Sequence, residues 1–113
     1  LEDNEMGIML SPEGYIAEAL NSNIFWVEGN KIYTPPLELG ILPGVIREFL
    51  INNFNVEEKK ALKDELLEAS EIFLTNSVKY LMPINMIDDI KKPGTNGQVF
   101  LHLYDRISKS IKT

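Results

Sequence analysis

The sequence predicts an α+β fold, in which a mixed sheet is flanked by a few helices. Three observations predict it. Short runs of β-forming residues fill the first third of the chain, apolar residues recur at a helical spacing from Val45 to Phe54, and the last segment carries an amphipathic stripe. Strands and helices alternate loosely, and 113 residues suffice for one domain with its own core.

The first third is predicted to form two β-hairpins. Each pair of β-forming runs is separated by turn residues, and Pro35-Pro36 ends the second ladder. The predicted strands are 6–10 and 15–19 around the turn 11–14, and 23–27 and 32–34 around the turn 28–31.

The remaining segments alternate between helix and strand. Asp64 suits the N-terminal end of the acidic helix, since carboxylates are favoured there. The last helix should bury a stripe made of Phe100, Leu103, Tyr104, Ile107 and Ile111. The predicted order is helix 45–54, strand 55–59, helix 64–69, strand 71–75, one or two strands within 80–90, loop 91–97 and a final helix.

Composition excludes several classes of function. A formal charge of -6 argues against a nucleic-acid partner. The absence of cysteine excludes disulfides and thiolate chemistry, and His102 is the only histidine, so we expect no metal site. No apolar run approaches the roughly 20 residues of a membrane span, and no signal peptide opens the chain, so a cytoplasmic protein is the default.

The stretch Gly40–Arg47 is the first candidate site. A turn with two glycines and a proline leads into the first predicted helix, and the opening turn of a helix can bind an anion. We expect Gly44 to let a ligand approach the backbone, and Val45 and Ile46 to offer N–H groups to a phosphate. The alternative is a plain loop before a core helix. Arg47 could bind an anion or pair with a carboxylate in the core, and we expect the structural role.

Two polar features stand at the ends of apolar strands. Glu18 lies between two alanines, where a buried carboxylate would need a partner, although strand alternation also allows it to face solvent. Thr75-Asn76-Ser77 places hydroxyl and amide groups at a strand end, where they could contact a ligand or form only a polar turn.

Four stretches resemble the C-terminal part of class IV (fold type IV) pyridoxal-phosphate enzymes. This family includes branched-chain and D-amino-acid aminotransferases and aminodeoxychorismate lyase. The resemblance implies the C-terminal domain of the D-amino-acid aminotransferase-like fold, with a mixed, strongly twisted sheet and a few flanking helices. The stretches, in family order, are 14–25, 33–37, 40–47 and 73–84.

The resemblance implies a role for each suspected residue. Glu18 matches the carboxylate that pairs with the pyridine nitrogen, and Leu42 matches the residue that packs on the cofactor ring. Val45 and Ile46, after Gly44, match backbone donors to the cofactor phosphate. Ser77 matches a hydroxyl that also reaches the phosphate, while Asn76 and Val78 fall where substrate contacts are expected.

Within the family, residues 23–26, 44–49 and 75–77 resemble the lyase more than the aminotransferases. Where aminotransferases often carry Thr, this chain has Ile46, which loses a hydroxyl contact. The lyase converts 4-amino-4-deoxychorismate to 4-aminobenzoate and pyruvate, a step towards folate. A class IV aminotransferase and a non-catalytic domain that binds a ligand or a partner are the alternatives.

The catalytic lysine, which holds the cofactor as a Schiff base, has no match in this chain. In the family it precedes the Glu18 motif, whereas all lysines here follow Glu18. The chain also begins at Leu1 without a methionine. We therefore expect a single domain, residues 1–113, from a longer enzyme that acts as a homodimer on a small molecule, and we expect this part alone to be inactive and to bind cofactor weakly.

Overall fold

Nine strands and three helices make up the part of the chain that the computed structural model describes, residues 8–19, 21–87 and 90–111. Single 3₁₀ turns lie at Leu37–Leu39 and Gly94–Asn96. The order is β1 Ile8–Leu10, β2 Ile16–Ala19, β3 Asn23–Glu28, β4 Lys31–Thr34, α1 Val45–Asn53, β5 Val56–Glu58, α2 Lys63–Glu68, β6 Glu71–Asn76, β7 Tyr80–Pro83, β8 Met86–Ile87, β9 Ile90–Lys91 and α3 Gln98–Ile111.

A mixed five-stranded sheet with the order β5-β4-β3-β6-β7 organises the fold. Central β3 runs antiparallel to both β4 and β6, whereas β5 pairs parallel to β4 at one edge. Every residue of β3 from Asn23 to Val27 is buried, because side chains cover both faces of this strand. Two further antiparallel pairs, β1-β2 and β8-β9, form small separate sheets.

The two faces of the sheet carry separate cores. Trp26 and Leu74 lie in a core that includes Leu66 of α2. Phe25 and Phe73 lie in the other, against α1 and α3. The Phe25 and Phe73 rings are cross-strand partners whose centroids are 5.5 Å apart. Because side chains alternate along a strand, residues 23 and 75 lie on this same α1 face.

The predicted mixed sheet with flanking helices is confirmed, as are both hairpins from Ile8 onward; residues 6 and 7 lie outside the described part. The last helix differs in one position. Phe100, Leu103 and Ile107 are buried, but Tyr104 is half exposed because it lies at the edge of the stripe, with its ring 5.6 Å from that of Phe100. The side chain of Ile111 lies outside the described residues.

The segment 80–90 also differs from the prediction. It contains β7, β8 and the first residue of β9, so the predicted loop from residue 91 begins one residue later. Of the helices in the described residues, none is long and apolar enough to span a membrane.

Arg47 has the structural role that was expected as the alternative to anion binding. It is 2% exposed, and its Nη2 donates to the Pro35 carbonyl at 3.0 Å and to Glu58 Oε2 at 2.6 Å. These bonds attach α1 to the end of β4 and to β5. They therefore fix the direction in which the first turn of α1 points.

Candidate functional site

A pocket of about 260 Å³ opens at the N-terminal end of α1. Three segments meet there: the turn before β3, the loop that leads into α1, and the end of β6 with the turn that follows. The lining residues are Asn21, Asn23, Leu42, Pro43, Gly44, Val45, Ile46, Thr75, Asn76 and Ser77.

The first turn of α1 presents unpaired N–H groups to this pocket. Gly44 is the N-cap, no side chain caps the helix, and the first helical bond runs from the Glu48 N–H to the Gly44 carbonyl at 3.0 Å. The N–H groups of Val45 and Ile46 therefore have no partner within the helix. With the positive end of the helix dipole, they make this end of the pocket attractive to an anion.

The loop before α1 is held by Asn23. The Asn23 Nδ2 donates to the Leu42 carbonyl at 2.6 Å, and the same carbonyl accepts the Gly44 N–H at 3.0 Å. Asn23 is buried, and a methyl group on Gly44 would overlap its Oδ1. Glycine is needed at position 44 because of this contact, since its backbone dihedrals are open to any residue.

Glu18 reaches the same loop from β2. It is half-buried between buried Ala17 and Ala19, and its Oε1 accepts the Leu42 N–H at 2.8 Å. Glu18 is not a lining residue of the pocket, but its bond to the Leu42 N–H connects it to a residue that is. Its Oε2 has no hydrogen-bond partner within residues 8–19, 21–87 and 90–111. One oxygen of the carboxylate is therefore left without a protein partner among these residues.

The turn after β6 brings Asn76 and Ser77 to the pocket, but not Val78. The Asn76 Oδ1 accepts the N–H groups of Val78 and Lys79, at 3.0 and 2.8 Å, while its Nδ2 donates to Ser22 Oγ at 3.2 Å. The Val78 side chain is 82% exposed and its N–H is occupied. As a candidate substrate contact Val78 is therefore weaker than Asn76.

Asn23 and Thr75 also line the pocket; Thr75 was considered only as part of the polar strand end 75–77, and Asn23 was not among the expected site residues. They are direct cross-strand partners on β3 and β6. Thr75 is 1% exposed, and its Oγ1 has no hydrogen-bond partner in the described part of the chain. The sequence signal that could have paired Asn23 with Thr75 is a polar residue at one end of each of two apolar strands.

The site supplies backbone donors, hydroxyls and a carboxylate, but no amine. No lysine of the described residues lines the pocket. The first turn of α1 offers donors suited to an anion, and the Glu18 carboxylate beside Leu42 is suited to a cationic group. No described lining residue has an amine that could form a Schiff base.

Comparison with known proteins gives consistent matches. A family model described as amino-transferase class IV matches residues 2–87. Aminodeoxychorismate lyase of Bacillus subtilis strain 168 is 36% identical over 111 residues, which cover 94% of this chain and 38% of the lyase. D-alanine aminotransferase of Bacillus licheniformis is 36% identical over 85 residues, which cover 71% of this chain and 30% of that enzyme.

A solved structure has the same fold. The branched-chain amino acid aminotransferase of Thermobaculum terrenum in its PLP-form (holo-form) superposes with a TM-score of 0.86 at 30% identity, covering 93% of this chain and 36% of that one. This chain thus spans less than two fifths of the length of each of these three proteins.

Proposed function

Since the chain belongs to the class IV amino-transferase family, we propose that it is the C-terminal, pyridoxal-phosphate-binding part of a longer enzyme. Its reaction is the lyase reaction, in which 4-amino-4-deoxychorismate gives 4-aminobenzoate and pyruvate, a step of folate biosynthesis. We further propose that the longer enzyme is a homodimer, as the family resemblance implies, and that it works in the cytoplasm.

The observation that carries the proposal is the double use of the Leu42 backbone. Its N–H donates to the Glu18 carboxylate at 2.8 Å, and its carbonyl accepts from Asn23 and Gly44 at the start of α1. The backbone of one residue thus links a carboxylate to an anion site. Pyridoxal phosphate carries the two matching groups, a phosphate at one end and a basic ring nitrogen at the other.

At the phosphate end, the N–H groups of Val45 and Ile46 and the hydroxyl of Ser77 are the donors. Gly44 keeps the approach to these donors free of side-chain atoms. The Leu42 side chain is half exposed beside them and is available to pack on the ring. A site that combines a few placed polar groups with an apolar wall is typical of cofactor pockets.

At the ring end, Glu18 holds a proton on the pyridine nitrogen. An ionised carboxylate favours the charged form of a nearby base. When bound, the cofactor supplies an electron sink for a carbanion that forms beside the substrate nitrogen. The contribution of this chain is to bind the phosphate, to orient the ring on Leu42 and to keep the nitrogen protonated.

The lysine that attaches the cofactor lies, in this proposal, in a segment of the longer enzyme that precedes Glu18. The site described above offers groups suited to a phosphate and to a ring nitrogen, but no described lysine lines its pocket. We therefore expect the 113-residue chain to bind the cofactor weakly and reversibly and to be inactive alone.

Two observations favour the lyase over an aminotransferase. The Bacillus subtilis lyase aligns with 94% of this chain, against 71% for the D-alanine aminotransferase. In addition, Ile46 packs its buried side chain in the core with Phe25 and Phe73 and offers the pocket no hydroxyl. A class IV aminotransferase remains the second candidate because the identities are equal at 36%. A non-catalytic domain that binds a ligand or a partner is the third.

The binding part of the proposal is tested on the chain itself. Pyridoxal 5′-phosphate is titrated into it and followed by ³¹P NMR and by the amide resonances of Leu42, Gly44, Val45 and Ile46. The expected result is saturable binding with shifts centred on Val45 and Ile46. A chain whose amides do not respond would favour the non-catalytic alternative without a phosphate site.

The reaction is tested on the longest natural protein that contains this chain. Release of pyruvate and 4-aminobenzoate from aminodeoxychorismate, without a 2-oxo acid acceptor, supports the lyase. Amino-group transfer to a 2-oxo acid without that release supports the aminotransferase. Glu18→Gln should reduce turnover strongly and leave the fold intact, since glutamine can still accept the Leu42 N–H but cannot stabilise the protonated nitrogen. Unchanged turnover would remove Glu18 from the site.

A further inference from the structure

The hydroxyl of Thr75 is a buried polar group without a partner. Thr75 is 1% exposed, and its Oγ1 makes no hydrogen bond to any described residue. A buried hydroxyl that is left unpaired destabilises a fold. Valine has nearly the same shape and avoids this loss, so the hydroxyl needs another explanation than packing.

The position of Thr75 points to a ligand. Along β6 it follows Phe73 by two residues, so both side chains face α1, and Phe73 packs in the same core as Ile46 in the first turn of that helix. Thr75 also lines the pocket that contains the free N–H groups of α1. The residue that carries the unpaired hydroxyl and the unpaired backbone donors of α1 thus line one cavity.

The neighbouring amide side chains each make hydrogen bonds. Asn23, opposite Thr75, donates to the Leu42 carbonyl, and the Asn76 amide is used by Ser22 and by the turn that follows. The Thr75 hydroxyl differs from them because it makes no hydrogen bond to a described residue, so its hydrogen is available to a ligand. A tetrahedral oxyanion at the first turn of α1 would accept it.

We propose that the Thr75 hydroxyl is a further donor to the anionic group that this pocket binds, a phosphate monoester, in addition to Ser77 and the α1 backbone. The inference rests on the proposed function in one respect, that the pocket takes a phosphate. It assigns to Thr75 a ligand contact at the sheet end of the pocket.

The test compares Thr75→Val with Thr34→Val in the full chain. Thr34 is the matched control, because it is fully buried on the same sheet but its Oγ1 donates to the Ile24 carbonyl at 2.8 Å. Dissociation constants for inorganic phosphate and for pyridoxal 5′-phosphate are measured by ³¹P NMR, and the thermal midpoint by calorimetry. Thr75→Ser, which keeps the hydroxyl, is the second variant.

Opposite effects on binding and stability are expected. Thr75→Val should raise the dissociation constants of both ligands by about tenfold or more, since a hydrogen bond to a charged group is lost. Its thermal midpoint should equal or exceed that of the wild type, because an unpaired polar group is removed. Thr34→Val should lower the midpoint and leave both dissociation constants unchanged, and Thr75→Ser should bind within a few-fold of the wild type.

Three results would overturn the inference. If the wild type binds the probes and Thr75→Val binds them equally well, Thr75 makes no contact, while the proposed function stands. If Thr75→Val loses stability as Thr34→Val does, its hydroxyl is structural. If the wild type binds neither probe, both the inference and the proposed phosphate site are wrong.

Discussion

The side chain of Asn23 occupies the space that a methyl group on Gly44 would need. The contact joins the start of β3 to the N-cap of α1, and the same amide donates to the Leu42 carbonyl at 2.6 Å. The requirement for glycine at position 44 therefore comes from packing, and it depends on a residue 21 positions earlier in the chain.

This contact predicts non-additive effects of substitution. Gly44→Ala should cost about 1–3 kcal/mol of unfolding free energy, as overpacking does, and should weaken phosphate binding because the first turn of α1 is displaced. In an Asn23→Ala background the methyl group has room, so most of that cost should disappear. Urea unfolding of the four chains gives the coupling energy, which we expect to be about 1 kcal/mol or more. The control background is Asn21→Ala, because Asn21 lines the same pocket and its removal leaves the overlap between Asn23 and the new methyl group in place. If Gly44→Ala costs the same free energy of unfolding in all backgrounds, the Asn23–Gly44 contact is not the cause.

Two neighbouring carboxylates on β5 offer a second test, because only one has a buried partner. Glu58 pairs with Arg47, whose side chain is 2% exposed, whereas Glu57 pairs with Lys31 and both of those side chains are about half exposed.

Glu58→Ala should destabilise the chain by about 1–3 kcal/mol, since it leaves a buried guanidinium without its charged partner. We do not expect a larger loss of stability, because the Glu58 side chain is 47% exposed and water can partly replace it as a partner of Arg47. Glu57→Ala should change stability hardly at all. The free energies of unfolding of both variants are measured by chemical unfolding. If Glu57→Ala lowers the free energy of unfolding as much as Glu58→Ala does, the burial of the partner is irrelevant.

The local elements could be predicted from the sequence because their signals are local. Runs of β-formers indicated the hairpins, apolar spacing indicated α1, and Gly40–Arg47 indicated the free N–H groups at its start. What could not be predicted depends on register between distant strands. Thr75 faces the pocket only because it pairs with Asn23, 52 residues away, and both side chains then lie on the α1 side of the sheet.

The Glu18–Leu42 bond shows the same limit. Alternation along β2 allowed Glu18 to face solvent, and only the path of the loop before α1 places the Leu42 N–H beside it. The prediction that Tyr104 is buried was wrong for a different reason. Its spacing fits the buried stripe of α3, but a stripe has edges, and the width of the buried contact is set by the sheet below.

A third prediction concerns Glu71, which caps α3 from a different element. Its Oε2 accepts the Val99 N–H and its Oε1 the Phe100 N–H, both at 2.9 Å, and the residue is 8% exposed. The carboxylate thus serves as the side-chain cap of that helix. Glu71→Ala should cost about 1–2 kcal/mol, the range of a lost N-cap, and speed amide exchange in the first turn of α3.

Glu71→Gln should also be destabilising, because its NH₂ group would face a backbone N–H. Glu68→Ala, at an exposed position of α2, is the matched control and should have little effect on stability. Equal unfolding free energies for Glu71→Ala and Glu68→Ala would mean that the carboxylate does not cap the helix.

A fourth prediction concerns Lys92, whose ammonium group lies against the C-terminal end of α2. Its Nζ donates to the carbonyls of Leu67 and Ala69, at 2.6 and 2.5 Å. Cations are favoured at this end of a helix, where carbonyl groups lack partners. Burial nevertheless lowers the pKa of Lys92 below its ordinary value of 10.5.

The lowered pKa fixes the sign of a pH effect. Between the folded-state pKa and 10.5, the unfolded chain keeps a proton that the folded chain has released, so raising the pH favours the folded state. The stability of the wild type relative to Lys92→Met should therefore increase as the pH rises through this window. Below the folded-state pKa the difference should be constant, since the amine is charged in both states.

Urea unfolding at a series of pH values up to 10.5 measures this difference directly. Lys91→Met removes a charge from the exposed neighbouring residue and controls for the change in net charge. If the advantage of the wild type over Lys92→Met shrinks as the pH rises, then the two carbonyl contacts stabilise the ammonium by more than burial disfavours it. The pKa of Lys92 in the folded chain would then lie above 10.5 rather than below it.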